Sequence, residues 1–134
     1  MKHQQLLQHH QLKATPQRIA IIELMHHAGH ISIDDLYRDI REKFASISLA
    51  TLYKNVHSMM SVNLIREVKI SGQKAKYEIE KMPHAHVVCK ACGELKDIAF
   101  DPAVLMQETI RESDYAAEEV SIVISGICPQ CQKI

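Results

Sequence analysis

The segment Ser48-Leu49-Ala50-Thr51-Leu52-Tyr53-Lys54-Asn55-Val56-His57-Ser58-Met59-Met60 carries two patterns at once. At the helical step of about 100° per residue, Leu49, Leu52, Val56, Met59 and Met60 fall on one stripe. Ala50, Thr51, Lys54, His57 and Ser58 project from the opposite face, with Tyr53 on the border. The stripe calls for burial, whereas the outward face is small, polar and basic. Such a face suits a helix that enters the major groove of DNA, where bulky apolar side chains would obstruct. An ordinary amphipathic surface helix has the same pattern, so the flanking sequence has to arbitrate.

Two helices are expected before it. Thr15-Pro16-Gln17-Arg18 reads as a helix start, with Thr15 as N-cap and Pro16 at the first helical position, where a missing N–H costs nothing. Ile21, Ile22 and Met25 recur at helical spacing until Gly29 stops the helix. Ser32 starts another, with Asp35 three residues on as a capping box and Leu36, Ile40 and Phe44 on one face. After Met60, the runs Ile65 to Ile70 and Lys74 to Glu80 are joined by Ser71-Gly72-Gln73. Val68 and Ile70, then Ala75, Tyr77 and Ile79, alternate with charged residues, as a hairpin packed on one face requires. Three helices followed by a basic hairpin make an N-terminal winged helix-turn-helix over residues 1–80. Lys69, Lys74 and Lys76 then lie on or near the wing, within reach of phosphate.

Formal net charge is zero over 134 residues, which by itself argues against a nucleic-acid binder, because phosphate neutralisation calls for excess Lys and Arg. The average conceals an asymmetry: residues 1–82 hold 12 Lys and Arg against 8 Asp and Glu, and residues 83–134 hold 4 against 8. A DNA-facing front half and a back half with another task fit that division. Lys81-Met82-Pro83 is the expected hinge, since the charge balance changes there and Pro83 biases Met82 toward extended backbone. Beyond it, Ala85 to Cys89, Leu95 to Phe100 and Val120 to Ser125 read as strands and Ala103 to Glu112 as a helix. Residues 84–134 thus form a small α+β unit, and the fold class is α+β. No apolar run approaches the roughly 20 residues of a membrane span, so no membrane partner is expected. The Gln- and His-rich stretch Met1 to Lys13 lacks the apolar core of a signal peptide, so a reducing, cytoplasmic setting is expected.

All four cysteines lie in the acidic half, as Cys89-Lys90-Ala91-Cys92 and Cys128-Pro129-Gln130-Cys131, with 35 residues between the pairs. Two Cys-x-x-Cys pairs at that separation suit tetrahedral zinc, each pair supplying two thiolates at a knuckle. Zinc would stand in for the core that a unit this small cannot build. Gly93, directly after the first pair, fits a knuckle whose backbone turns tightly. A thioredoxin-like redox pair would follow the first strand of an α/β unit, whereas Cys128 and Cys131 lie far downstream. A zinc deaminase would want His-x-Glu and Pro-Cys-x-x-Cys, and here Pro129 lies inside the pair. An iron–sulfur cluster can use four thiolates, but the symmetric pairs favour zinc. A thiol redox protein or metalloenzyme remains the rival class; no nucleophile with an adjacent base, no Gly-rich phosphate loop and no substrate motif support it.

Nine histidines are many for this length. His3, His9, His10, His26 and His27 read as solvated helix residues. His84-Ala85-His86 differs, because residues i and i+2 of a strand share a face and two imidazoles can then approach one metal. Their partners have to come from elsewhere: His30 between the first two winged-helix helices, Glu78 near the end of the hairpin, and Asp97 on the strand after Cys92 are candidates.

In order and spacing, Thr15-Pro16-Gln17-Arg18, Ser48-Leu49-Ala50-Thr51-Leu52-Tyr53, His84-Ala85-His86-Val87-Val88-Cys89-Lys90-Ala91-Cys92-Gly93 and Cys128 to Cys131 resemble the ferric uptake regulator (Fur) family over nearly the whole chain. The resemblance implies a winged-helix domain, a hinge and an α+β dimerisation domain, in a homodimer that represses genes at a palindromic operator in double-stranded DNA. Carried over by position, it implies Cys89, Cys92, Cys128 and Cys131 as structural zinc ligands. His30, Glu78, His84, His86 and Asp97 are implied as ligands of a regulatory iron(II) or manganese(II), which draws the two DNA-binding domains into the arrangement that fits DNA. Mixed His and carboxylate donors suit those metals, and a more nitrogen-rich set favours zinc. The peroxide-sensing branch, PerR, usually has Asp at the place of Asp97 where iron sensors have Glu. That points to a PerR-like protein in which peroxide and iron(II) oxidise a ligand histidine, with His30 and His84 as candidate targets. Glu78 stands where that branch more often has Asp, so the donor set is a hybrid. Val120 stands where many members carry a further histidine ligand, eight residues before the terminal cysteine pair, so that extra site is not expected. An iron-responsive repressor, then a zinc-uptake regulator, are the alternatives. On DNA, Tyr53 and Lys54, with Asn55 beside them, are expected near base edges and Arg18 and Lys13 toward phosphate.

Overall fold

The computed structural model describes residues 2–133 and divides the chain into two compact units, one reaching to Glu80 and one starting at Lys81. The first contains α1 (Lys2–His9), α2 (Pro16–Ala28), β1 (Ile31–Ser32), α3 (Ile33–Ile40), α4 (Leu49–Ser61), β2 (Ile65–Val68) and β3 (Lys76–Ile79). Three of its helices start on side-chain caps: Thr15 Oγ1 accepts from the N–H of Arg18 at 3.3 Å, Ser32 Oγ from Asp35 at 3.2 Å, and Ser48 Oγ from Thr51 at 3.1 Å. Each satisfies an N–H that the helix itself leaves without a partner. Gly29 ends α2 at φ 78°, a conformation that side chains with a Cβ rarely adopt, and donates its N–H to Met25.

Of the expected α4 stripe, Leu52, Val56 and Met59 are buried in one cluster with Ile21, Ile22 and Met25 of α2 and Leu36 and Ile40 of α3, and Met60 packs against it half-buried, whereas Leu49 in the first turn is exposed. Truncating one of the buried residues to Ala costs about 2–5 kcal/mol. Phe44 joins that cluster from beyond α3 rather than from within it. The chain tightens after Ile40 into i→i−3 bonds, Glu42 N–H to Asp39 and Lys43 N–H to Ile40, so the last turn is no longer α-helical. The wing strands are shorter than the alternation suggests, Ile65 facing Ile79 and Val68 facing Lys76. A third strand, β1, pairs its Ile31 with Tyr77 and gives the order β1-β3-β2. Strand β1 was not expected, and α1 was implied only by the reading of His3, His9 and His10 as helix residues. Residues 31–32 are too few to show an alternation, and α1 offers the core only Leu7, fully buried, and Leu6 beside it.

The second unit contains β4 (His84–Cys89), β5 (Leu95–Ala99), α5 (Ala103–Ser113), β6 (Val123–Gly126) and a one-turn α6 (Pro129–Gln132). Its sheet has the order β5-β4-β6, with β4 antiparallel to β5 and parallel to β6. The β4–β5 turn is closed by Cys89 N–H to Glu94 O and Gly93 N–H to Cys89 O, each 2.9 Å, with Gly93 at φ 82°. Ala85, Val88 and Cys89 are its only buried apolar residues among those described. Helix α5 buries no side chain, and Val104, Leu105 and Ile110 lie exposed on it, together with Ile98, Phe100, Tyr115 and Ile124 elsewhere in the unit. Among the described residues, no helix is long and apolar enough to cross a membrane.

Candidate functional site

Parallel pairing of β4 with β6 sets Cys89 opposite Gly126, so both chain segments leave the sheet at the same end, one into Cys92 and the other into Cys128 and Cys131. The four sulfurs lie within 4.8 Å of one another, and Cys92 Sγ is 3.8 Å from Cys128 Sγ. Zinc–sulfur bonds of about 2.3 Å in a tetrahedron separate the sulfurs by about 3.8 Å, so the Cys92–Cys128 pair already stands at that separation and no other pair lies more than about 1 Å beyond it. Backbone N–H groups support it: Cys128 and Cys92 donate to Cys89 Sγ at 3.3 and 3.5 Å, and Cys131 donates to Cys128 Sγ at 3.4 Å. The N–H of Cys128, then that of Cys92, hold the Cys89 thiol far below its ordinary value, at about 6. Hydrogen bonding with the Cys128 sulfur, then with that of Cys89, pushes the Cys131 thiol up to about 12. In the metal-free protein the cluster is therefore a mixture of thiolate and thiols; binding zinc requires the remaining protons to leave.

The second unit also brings together His84, His86 and Asp97. Strand β4 puts the two imidazoles on one face, with Nε2 atoms 3.1 Å apart, and the β4–β5 register sets Asp97 directly across from His86. Asp97 Oδ1 lies 3.4 Å from His86 Nε2 and 3.9 Å from His84 Nε2. Donors on bonds of about 2.1 Å to one metal stand about 3.0–3.4 Å apart, so this trio fits a metal with little adjustment. His84 Nδ1 is 2.9 Å from the carbonyl of Met82, to which it donates, leaving Nε2 as the lone-pair nitrogen. Asp97 Oδ2 is paired with Lys81.

In the first unit, Glu78 is 0% exposed, and its Oε1 lies 2.9 Å from His30 Nε2 while Oε2 is 3.8 Å from Arg66 Nε. A buried carboxylate is tolerated only with such partners. Lys81, Arg66 and the Met82 carbonyl were not anticipated as participants. Lys81 and Met82 read only as hinge residues, and nothing local in sequence marks a side chain that orients another.

On α4, Tyr53 and Lys54 are exposed, Tyr53 by 45%. Arg18 and Asn55 are turned toward each other, Arg18 Nε donating to Asn55 Oδ1 at 3.1 Å, and Arg18 Nη1 donates to the carbonyl of Lys13, also at 3.1 Å. At the wing, Lys74 is paired with Asp34 of α3, and Lys76 lies within β3 beside Ser32. His3 and His26 face each other at 3.5 Å on α1 and α2.

A winged helix, a four-thiol cluster on a small α+β unit and paired imidazole–carboxylate groups define a class of metal-linked regulatory protein. The match to a particular family is direct: residues 9–125 match the Ferric uptake regulator family, and the chain belongs to it. It is similar to the peroxide stress regulator of Campylobacter jejuni, with 33% identity and a TM-score of 0.75 over 98% of this chain and 100% of that one. The peroxide operon regulator of Bacillus subtilis is 27% identical over 91% of this chain and 86% of its own length. The ferric uptake regulator of Vibrio cholerae is 26% identical, with a TM-score of 0.70 over 93% of this chain and 98% of that one.

Proposed function

We propose that the protein is a metal-dependent transcriptional repressor that binds DNA as a homodimer and releases it when peroxide oxidises a histidine of its regulatory metal site. The observation that carries the reading is the trio of His84, His86 and Asp97 donors, already within coordination distance of one another. It stands in a Fur-family chain similar to two peroxide regulators, from Campylobacter jejuni and Bacillus subtilis. In this reading His30, Glu78, His84, His86 and Asp97 are the regulatory ligands, taken from both units, and metal occupancy selects the DNA-binding arrangement. Iron(II) held by these residues would activate peroxide and be restored, with peroxide as the net two-electron oxidant of the ring. The Met82 carbonyl accepts from His84 Nδ1 and so keeps Nε2 as the nitrogen that would bind the metal; one peroxide oxygen would go to a ring carbon and the other would leave as water. Manganese(II) fits the same donors and does not drive that oxidation.

Cys89, Cys92, Cys128 and Cys131 hold zinc as a structural metal, on the support of their near-tetrahedral sulfur spacing. The exposed apolar residues of α5 and of the sheet beside it support the homodimer, since an unpartnered surface of that kind is costly in water. Tyr53 and Lys54 are the base-edge contacts and Lys13 a phosphate contact, on a palindromic duplex. The protein turns over no substrate in this reading; it works in the cytoplasm, where the DNA is.

The test is duplex binding by zinc-loaded protein with manganese(II) or iron(II) added, before and after brief low-dose peroxide, with mass spectrometry of the His30 and His84 peptides. Loss of binding in the iron form alone, with one added oxygen on either histidine, is expected. Continued binding with both histidines unmodified would make the protein an iron-responsive repressor instead.

A further inference from the structure

Arg18, unlike the exposed Lys54, has its charged group bonded to two other segments of the first unit. It stands in the first turn of α2, where its N–H is capped by Thr15. Its guanidinium reaches out of that helix in two directions, through Nε to Asn55 Oδ1 on α4 and through Nη1 to the carbonyl of Lys13 in the segment before α2, both at 3.1 Å. Asn55 is oriented in turn by its own Nδ2, which donates to the carbonyl of Thr51 one turn earlier at 3.2 Å, so that Oδ1 points to Arg18. Both side chains are half-buried, while Tyr53 and Lys54 next to Asn55 are exposed.

The rest of the α4 contact is apolar. Leu52, Val56 and Met59 hold the helix against the core, and packing of that kind tolerates small rotations and shifts of a helix along its axis. A charged fork bonded to a fixed amide does not, because such bonds weaken steeply outside a narrow range of angle and distance. The fork therefore sets which way Tyr53 and Lys54 face, and the same guanidinium places Lys13 relative to them.

We infer that Arg18 and Asn55 are positioning residues for DNA reading: Arg18 locks α4 and the Lys13 segment into one register, and neither side chain acts by touching phosphate or base. The inference rests on the DNA-binding reading above and concerns how that surface is built. It differs from a phosphate contact in what it makes measurable. A phosphate contact contributes about one unit to the slope of log affinity against log salt, and its loss weakens operator and unrelated DNA alike. A lost lock leaves the salt slope unchanged and weakens the operator selectively, because only the operator's base edges require the register.

The experiment uses the full-length, zinc- and manganese-loaded protein and a duplex selected by the parent protein from a random-sequence pool, with a scrambled duplex of the same composition alongside. R18A, N55A, the double variant and R18K are compared in affinity across a salt series. Expected is a loss of roughly tenfold on the selected duplex in each, the size of one hydrogen bond to a charged group. The salt slope should stay parental, binding to the scrambled duplex should barely change, and the double variant should be no worse than either single one. R18K, which keeps the charge and loses the fork, should behave as R18A does. A drop of about one unit in slope in R18A, with R18K and N55A close to the parent, would overturn the inference and return Arg18 to the phosphates. Equal loss on both duplexes would also overturn it, since reduced folding lowers both together. If the parent enriches no duplex at all, the DNA-binding reading fails first, and this inference with it.

Discussion

Asp97 stands directly across the β4–β5 ladder from His86, with Oδ1 3.4 Å from His86 Nε2 and Oδ2 paired with Lys81. One carboxylate thus joins an imidazole that is 1% exposed to an exposed ammonium. Replacing Asp97 by Ala removes a hard oxygen donor from a mixed set and should lower manganese(II) affinity by roughly tenfold or more while leaving zinc content at the parental value. Titration calorimetry with manganese and elemental analysis for zinc read the two effects separately.

Substitution at the cysteines should act on a different quantity. Cys92→Ser leaves three thiolates and breaks a group whose geometry matches zinc. Bound zinc should fall from one per chain to near none, and the second unit should melt at a lower temperature than in the parent, since its apolar core is only Ala85, Val88 and Cys89 among the described residues. Amide exchange in α2 and α4 should remain close to the parent.

The metal-free protein should show a stability maximum in alkaline solution. Cys89 titrates at about 6 when folded, far below the ordinary thiol value of 9.0 that it recovers on unfolding. Its contribution is therefore complete above about 9 and is lost as pH falls through 6. Cys131 is shifted the opposite way, to about 12, so its contribution is present below 9.0 and is lost as pH rises through 12. Thermal melts of zinc-stripped protein should thus climb in midpoint between pH 6 and 9 and decline above that. A Cys89→Ser variant should lose the climb.

Lys54 is exposed on α4 and its ammonium is a candidate for direct contact with DNA. Lys54→Ala should weaken binding to the operator by about 1–3 kcal/mol and relax its discrimination against a scrambled duplex, as loss of a base-edge contact does. Unchanged affinity and discrimination would remove Lys54 from the interface.

Glu78→Gln keeps the shape of a fully buried side chain and removes the charge that His30 and Arg66 face. It should cost about 1–3 kcal/mol of stability in the first unit, together with regulatory metal affinity. Denaturant melts and manganese titration of the same variant measure both.

The winged helix was legible because each of its parts leaves a local mark: Thr15, Ser32 and Ser48 as caps, Gly29 as a stop, and Leu52, Val56 and Met59 at helical spacing. The thiol cluster was legible from spacing alone, since two knuckles need only short, fixed separations. His84 and His86 were legible as a pair on one strand face and Asp97 as a candidate carboxylate on the strand after Cys92, while the full five-ligand set came from likeness to a family. What stayed hidden lacks local periodicity. Strand β1 has two residues, and the bond from Arg18 to Asn55 spans 37 positions. The apolar residues of α5 were readable as a helix, but helical spacing does not say that Val104, Leu105 and Ile110 stay exposed.

The turn that links β4 to β5 contains Cys89, Cys92 and Gly93, so the zinc knuckle is also the bend of the hairpin that carries His84, His86 and Asp97. A strand that slips by one residue turns every side chain to the opposite face. Slippage here would send Asp97 away from His86 and leave Lys96 or Ile98 in its place. A metal held by the thiols would therefore act as an alignment pin for the hairpin that carries His84, His86 and Asp97. In the proposed reading, zinc supply would then bear on how firmly the donors for the second metal are held in line.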